Sequence, residues 1–242
     1  MQKCLRWESH LVYKSEIAEN ILEMHFTLSD KSFSFIPGQF VGIQVPIRKV
    51  PRAYSIVKKI DNILVFLIDI SPWGINSKYF AEMQIGDKVL MSGPFGIYKM
   101  QSTQKNKYFI CTSTGVAPFL AMLENIFDTE IDEYLETKFY LIFGCRYRKD
   151  DFVLPKIQKI LSYQQFNYIR CISRENLTSN IIHVNSNFLE FKGRVTFYLT
   201  NLLIDPNNDE FYICGSNEMV DDVKKLLKEQ KNAVNIYTEK YY

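Results

Sequence analysis

The 242-residue chain lacks any Cys-x-x-Cys pair; its five cysteines, Cys4, Cys111, Cys145, Cys171 and Cys214, are odd in number and widely spread. That spacing supports neither a disulfide framework nor a zinc or iron-sulfur site, so buried thiols in a reducing compartment are the plain reading. Charge of one sign is lacking too. With 29 basic against 27 acidic side chains the net charge is only +2, which gives no reason to expect wrapping of nucleic acid. Apolar runs such as Ile63-Leu64-Val65-Phe66-Leu67-Ile68, closed by Asp69, fall far short of the roughly 20 residues that a membrane-spanning helix takes. The first eight residues, Met1-Gln2-Lys3-Cys4-Leu5-Arg6-Trp7-Glu8, carry charges where a secretion signal has an apolar core. A cytoplasmic protein is expected, with no membrane and no nucleic acid as partner. Internal repeats and low-complexity stretches are absent, as is the three-glycine dinucleotide fingerprint.

The composition is that of a folded protein: 47% apolar, 23% charged and a generous 14% aromatic. The first hundred residues carry short apolar or alternating runs broken by Pro and Gly, such as Phe40–Val45 and Lys88–Met91 before Ser92-Gly93-Pro94. Such punctuation predicts an antiparallel barrel or sandwich. After Pro72-Trp73-Gly74-Ile75, the run from Asn76 to Met83 has the cap residues and apolar spacing of a short helix. Gln101 to Lys107 is wholly polar, and the domain boundary is expected there, giving residues 1–100 and 101–242. Beyond it, strands at 108–111, 139–143, 168–172, 211–214 and 234–237 alternate with helical segments. One helix carries Phe119, Leu120, Leu123, Ile126 and Phe127 on one face; another is expected around Pro155 to Leu161, and a third carries Met219, Val220, Val223, Leu226 and Leu227. Alternation of this kind predicts an α/β domain with a parallel five-stranded sheet covered on both faces.

Ligands of open parallel sheets sit beyond the carboxyl ends of the strands. Those ends here carry Thr112-Ser113-Thr114-Gly115-Val116-Ala117-Pro118, Gly144-Cys145-Arg146-Tyr147-Arg148, Ser173-Arg174-Glu175 and Cys214-Gly215-Ser216-Asn217. Gly115 permits a tight turn, Pro118 suits a helix start, and the helix N-terminus offers amides to a phosphate. Arginine at two strand ends suits a phosphate-rich ligand through bidentate hydrogen bonds. Taken singly, the glycine reads as a plain turn and each arginine as solvated surface charge.

In combination these motifs resemble the ferredoxin/flavodoxin-NADP reductase family, particularly its compact bacterial type, along nearly the whole chain. The residues that carry the resemblance are Arg52-Ala53-Tyr54-Ser55, Gly74-Ile75-Asn76-Ser77, Thr114-Gly115-Val116-Ala117-Pro118 and Cys214-Gly215, in the family order. The resemblance implies an FAD-binding antiparallel β-barrel followed by an NADP-binding α/β domain, with the flavin ring in the cleft between them. It also implies that Arg52 holds the FAD pyrophosphate, that Tyr54 lies against one flavin face, and that Ser55 hydrogen-bonds near N5. Gly74 and Ser77 would bring a helix N-terminus to the same pyrophosphate, with Ile75, Asn76, Ala53 and Thr114 around the cofactor. Pro37-Gly38-Gln39-Phe40 and Gly93-Pro94-Phe95-Gly96 read as structural turns.

On the nucleotide side, the resemblance assigns Ser173, Arg174 and Arg194 to the 2′-phosphate and Arg146 to the other phosphates, with Gly115, Val116 and Gly215 lining the site. NADPH is therefore expected over NADH, which an acidic ribose acceptor would favour. Tyr241 would stack on the second flavin face and yield it to nicotinamide, and Tyr242 would approach the FAD adenine. Cys214 and Glu239 would border the nicotinamide without forming a covalent bond to it. The implied reaction is hydride transfer from NADPH to FAD, then single electrons to ferredoxin or flavodoxin, by a monomer. Arg48, Lys49, Lys58, Lys59 and Lys99 could face such an acidic carrier. Two further readings stand beside this one: a free-flavin or oxygenase-linked NAD(P)H reductase component, and a non-catalytic docking module on the same scaffold.

Overall fold

The computed structural model describes residues 5–30, 32–71 and 73–241. The chain divides into two compact units, Met1–Met100 with Ala117–Glu124, and Gln101–Val116 with Asn125–Tyr242.

In the first unit seven strands form one antiparallel sheet: β1 (Leu5–Ala18), β2 (Ile21–Thr27), β3 (Phe40–Gln44), β4 (Arg52–Ser55), β5 (Lys58–Ile60), β6 (Ile63–Asp69) and β7 (Lys88–Phe95). Their order is β4-β3-β7-β1-β2-β6-β5. The 14-residue β1 serves both halves of the sheet. Leu5 to His10 pair with β7, whereas Leu11 to Ala18 pair with β2 through two register shifts. Irregularities of this kind bend a strand and increase its twist. The sheet is antiparallel as expected, and its pairing order leaves β4 and β5 as edges, with no ladder joining them among the described residues. The strands bury Met24, Phe26, Val41, Ile43, Phe66 and Met91 in a shared core, and α1 (Ile75–Glu82) adds Phe80 to it.

α2 (Ala117–Asn125) follows a 3-10 turn at Ser113–Val116. Its residues 117–124 group with the first unit. Phe119, Leu120 and Leu123 are buried as expected, but the helix stops at Asn125 and the chain widens into a π-turn at Ile126–Glu130. There Phe127 meets Phe139, Tyr163 and Phe166 edge-on.

The second unit holds β8 (Asn106–Thr112), β9 (Phe139–Cys145), β10 (Phe166–Ile172), β11 (Ile181–Asn185), β12 (Phe188–Lys192), β13 (Asp209–Ser216) and β14 (Asn235–Tyr241) in the order β11-β12-β10-β9-β8-β13-β14. All neighbours are parallel except β11 with β12. The expected five-stranded parallel sheet thus has six parallel strands and an antiparallel edge. The added pair, β11 and β12, lies where polar residues interrupt the apolar runs, and β11 is largely exposed. Three helices complete the unit: one-turn α3 (Leu154–Ile157), α4 (Val195–Asn201) and α5 (Asn217–Glu229). The helix expected at 155–161 is broken, α3 being followed by a separate 3-10 turn at Ile160–Ser162. From β8 the chain moves outward to β12 and then returns to the other side of β8, so β8 and β13 flank a topological switch point.

Candidate functional site

In the first unit, Arg52-Ala53-Tyr54-Ser55 is the edge strand β4, held to β3 in a register that sets Tyr54 opposite Val41 and Ser55 opposite Phe40. Burial deepens along the strand: Arg52 and Ala53 are exposed, Tyr54 is half-buried and Ser55 is buried. The Tyr54 ring rests on the edge of Phe80, with centroids 5.4 Å apart at 86°. Asn76 Nδ2 donates a long 3.5 Å hydrogen bond to its hydroxyl. Burial holds the Tyr54 hydroxyl above its ordinary pKa, while the Asn76 contact works in the opposite direction. These two contacts fix α1 beside β4.

The start of α1 is open to an anion. Gly74 is its N-cap, no side chain caps the helix, and no acidic residue lies in the first turn. A Cβ built on Gly74 meets nothing within 4 Å. The backbone amides there suit a phosphate, because they offer donors to its oxygens. Asn76 Oδ1 is buried with no hydrogen-bond partner, a further polar atom at this helix end. Ser77 is half-buried, while Gly74 and Ile75 are exposed.

Sequence reasoning missed the other end of α1. There Lys14 Nζ donates to the carbonyls of Ala81 at 2.6 Å and Met83 at 2.9 Å. A lysine on β1, over sixty residues away in the chain, carries no local signal of that role. Among the basic residues offered to a carrier, Lys58 forms an ion pair with Glu124, so its charge is already engaged.

In the second unit, the parallel strands deliver their carboxyl ends to one sheet edge. Gly115 packs against β13 so closely that a Cβ would stand 2.3 Å from the Cys214 carbonyl oxygen, and Gly215 has a φ of +154°. Thr114, Gly115 and Val116 are buried. Beside them Cys214 is in register with Glu239, and Ser216 with Tyr241. Burial raises the Cys214 thiol well above its ordinary pKa, and Glu239 pushes it further, against a hydrogen bond with the Tyr241 side chain. A thiol so held is a neutral, weakly polar wall and not a nucleophile. Cys214, Glu239 and Tyr241 are therefore neighbours at one end of β13 and β14. Tyr242 lies outside the described residues.

The loops after β9 and β10 are zipped together. Ser173 donates to the Cys145 carbonyl through its backbone amide at 3.1 Å and its hydroxyl at 3.2 Å, and the Arg174 amide donates to the Arg146 carbonyl at 2.9 Å. Arg146, Ser173 and Arg174 are exposed at this edge, as is Arg194, the N-cap of α4. Arg148, in the same arginine-bearing loop, is also exposed but is engaged by carboxylates. Its guanidinium holds Glu190 through Nε at 2.9 and 3.0 Å and through one terminal nitrogen at 2.5 Å, and reaches Glu175 at 2.8 Å through the other. Arg170 extends the chain of charges from Glu190 to Asp151. No grouping of three or more potential metal ligands occurs among the described residues.

An antiparallel unit with an uncapped helix start is thus followed in the chain by a parallel α/β unit with arginines at its strand ends. The oxidoreductase FAD-binding domain family matches residues 8–100, and the oxidoreductase NAD-binding domain family matches residues 109–225. The chain thus carries an oxidoreductase FAD-binding domain followed by an oxidoreductase NAD-binding domain. It is 29% identical over 228 residues to the toluate 1,2-dioxygenase electron transfer component of Pseudomonas putida, covering 90% of this chain and 64% of that one. The chain spans 63–64% of the length of the dioxygenase electron transfer components it matches. Among solved structures, Amycolatopsis cytochrome P450 reductase GcoB superposes with a TM-score of 0.84 at 20% identity, over 99% of this chain and 71% of that one. A ferredoxin NADP+ reductase from Neisseria gonorrhoeae does so with a TM-score of 0.77 at 22% identity, over 98% and 99%. These two likenesses establish the fold.

Proposed function

We propose that the protein is an NADPH-dependent flavoprotein reductase that supplies single electrons to an oxygenase system. The observation that carries this reading is the 29% identity to a dioxygenase electron transfer component across 90% of the chain. Bound FAD would accept a hydride and release electrons singly, the conversion needed because nicotinamide gives electrons in pairs. Arg52 and the start of α1 would bind its pyrophosphate, Tyr54 would support the ring, and Ser55 would offer a small hydroxyl. Ala53, Gly74, Ile75, Asn76, Ser77 and Thr114 would complete the FAD site.

For the nucleotide, Gly115, Val116 and Gly215 would allow close backbone approach, and Arg146 would meet phosphate. Ser173, Arg174 and Arg194 would select the 2′-phosphate. Cys214 and Glu239 would bound the nicotinamide, and Tyr241 would move aside for it. Loss of the charged contact in Arg174→Ala should lower the NADPH/NADH ratio of kcat/KM about ten- to a hundredfold; an unchanged ratio removes Arg174 from the nucleotide site.

The cysteines of this chain form no cluster, so the single-electron acceptor is taken to lie outside these 242 residues. Four unpaired thiols among the described residues support a cytoplasmic setting. Ferredoxin or flavodoxin is the second reading for the acceptor. The deciding assay is NADPH-driven cytochrome c reduction with ferredoxin, flavodoxin or an oxygenase component added in turn. Stimulation by the oxygenase component supports the first reading, and stimulation by ferredoxin or flavodoxin alone supports the second. A purified protein that stays colourless after FAD addition would indicate a docking module.

A further inference from the structure

The loop that bears Ser173 and Arg174 also bears a carboxylate, Glu175, one residue further on. A free carboxylate there would accept a ribose hydroxyl and repel a 2′-phosphate, the arrangement that favours NADH. Glu175 is not free. One of its oxygens accepts from the Arg148 backbone amide at 2.9 Å, and the other from the Arg148 guanidinium at 2.8 Å. Arg148 is itself anchored, because Nε and a terminal nitrogen clasp Glu190, whose side chain is only 4% exposed. Glu190 is in turn held by Arg170, which pairs with Asp151. A buried strand residue thus fixes an arginine, and the arginine draws Glu175 toward the sheet.

We propose that Arg148 is a specificity-determining residue that acts through Glu175: by pairing with this carboxylate it permits a 2′-phosphate beside Ser173 and Arg174. The inference rests on the NADPH reading above. Arg148 is a positioning residue here, since its guanidinium is committed to two carboxylates and does not serve as a phosphate ligand. Removing it leaves a negative charge at the rim of the site, and removing Glu175 as well takes that charge away.

The test uses the purified full chain and two probes, 2′,5′-ADP and 5′-AMP, whose binding is measured by calorimetry and needs neither flavin reduction nor a partner. The wild type should bind 2′,5′-ADP the more tightly. Arg148→Met should lower that preference about tenfold, the size of one charged contact. Arg148→Lys should keep most of it, and the double variant Arg148→Met/Glu175→Gln should regain it. A merely structural role would weaken both probes alike and would not be rescued by Glu175→Gln. A wild type that binds the two probes equally overturns the NADPH reading and this inference with it. A wild type that prefers 2′,5′-ADP, with the preference unmoved in Arg148→Met or lost equally in the double variant, overturns the role of Arg148 alone.

Discussion

Gly115 has no room for a side chain, because the nearest atom a Cβ would meet is a backbone oxygen of the neighbouring strand and cannot rotate away. Gly115→Ala should therefore cost about 1–3 kcal/mol through forced backbone movement. Gly74→Ala, with ordinary φ and open space, should stay within about 0.5 kcal/mol. Thermal melts of the two variants make the comparison, and equal loss would contradict the packing at the end of β13.

The thiols make a second residue-scale prediction. Burial raises Cys111, Cys171 and Cys214 well above their ordinary pKa, and Cys145 is pushed up to about 12. A raised thiol pKa moves the reactive thiolate to higher pH, so in a Cys4→Ser background none of the four should react rapidly with a disulfide reagent at about pH 8. One fast equivalent under native conditions would show that a thiol is more open or more acidic than described.

At the scale of elements, α1 is held at both ends by different means. Its start meets Tyr54 through Asn76, and its last carbonyls meet the Lys14 ammonium. Lys14→Met should cost about 1–2 kcal/mol, less than two buried hydrogen bonds to a charged donor because both bonds are only part-buried, and should weaken FAD binding measured by fluorescence titration. Full FAD affinity in this variant would separate the helix from the cofactor.

β12 contributes Glu190, whose two arginine partners hold its pKa below the ordinary 4.5 of a glutamate. A depressed carboxylate stabilises the fold above that value, and the stabilisation is lost as pH falls through the folded-state pKa. Glu190→Gln should lose roughly 3 kcal/mol at neutral pH and show a shallower decline in melting temperature below about pH 4.5. An unchanged acid profile would mean that other carboxylates dominate it.

These elements also show what sequence could and could not supply. The apolar runs of β8, β9, β10 and β13 are legible because both faces of a central parallel strand are buried, which leaves a continuous hydrophobic signature. β11 and β12 escaped because an edge hairpin with an exposed strand has no such run. The Arg148–Glu190 and Lys14–Ala81 contacts escaped for a different reason. Each joins residues 42 or 67 positions apart, and pairing at that range depends on strand order and not on local spacing. The antiparallel first domain was legible, but its closure was not, because turn-punctuated strands are common to closed and open sheets.

At the scale of the whole molecule, two domain families match in sequence along one chain, FAD-binding before NAD-binding. The central claim is that this chain binds FAD and reduces it with a nicotinamide nucleotide. The most direct measurement is anaerobic stopped-flow mixing of the FAD-reconstituted protein with NADPH, following the oxidised flavin band. Rapid, saturable bleaching of the protein-bound flavin is the predicted result, and a flavin-loaded protein that neither NADPH nor NADH can bleach would contradict the claim.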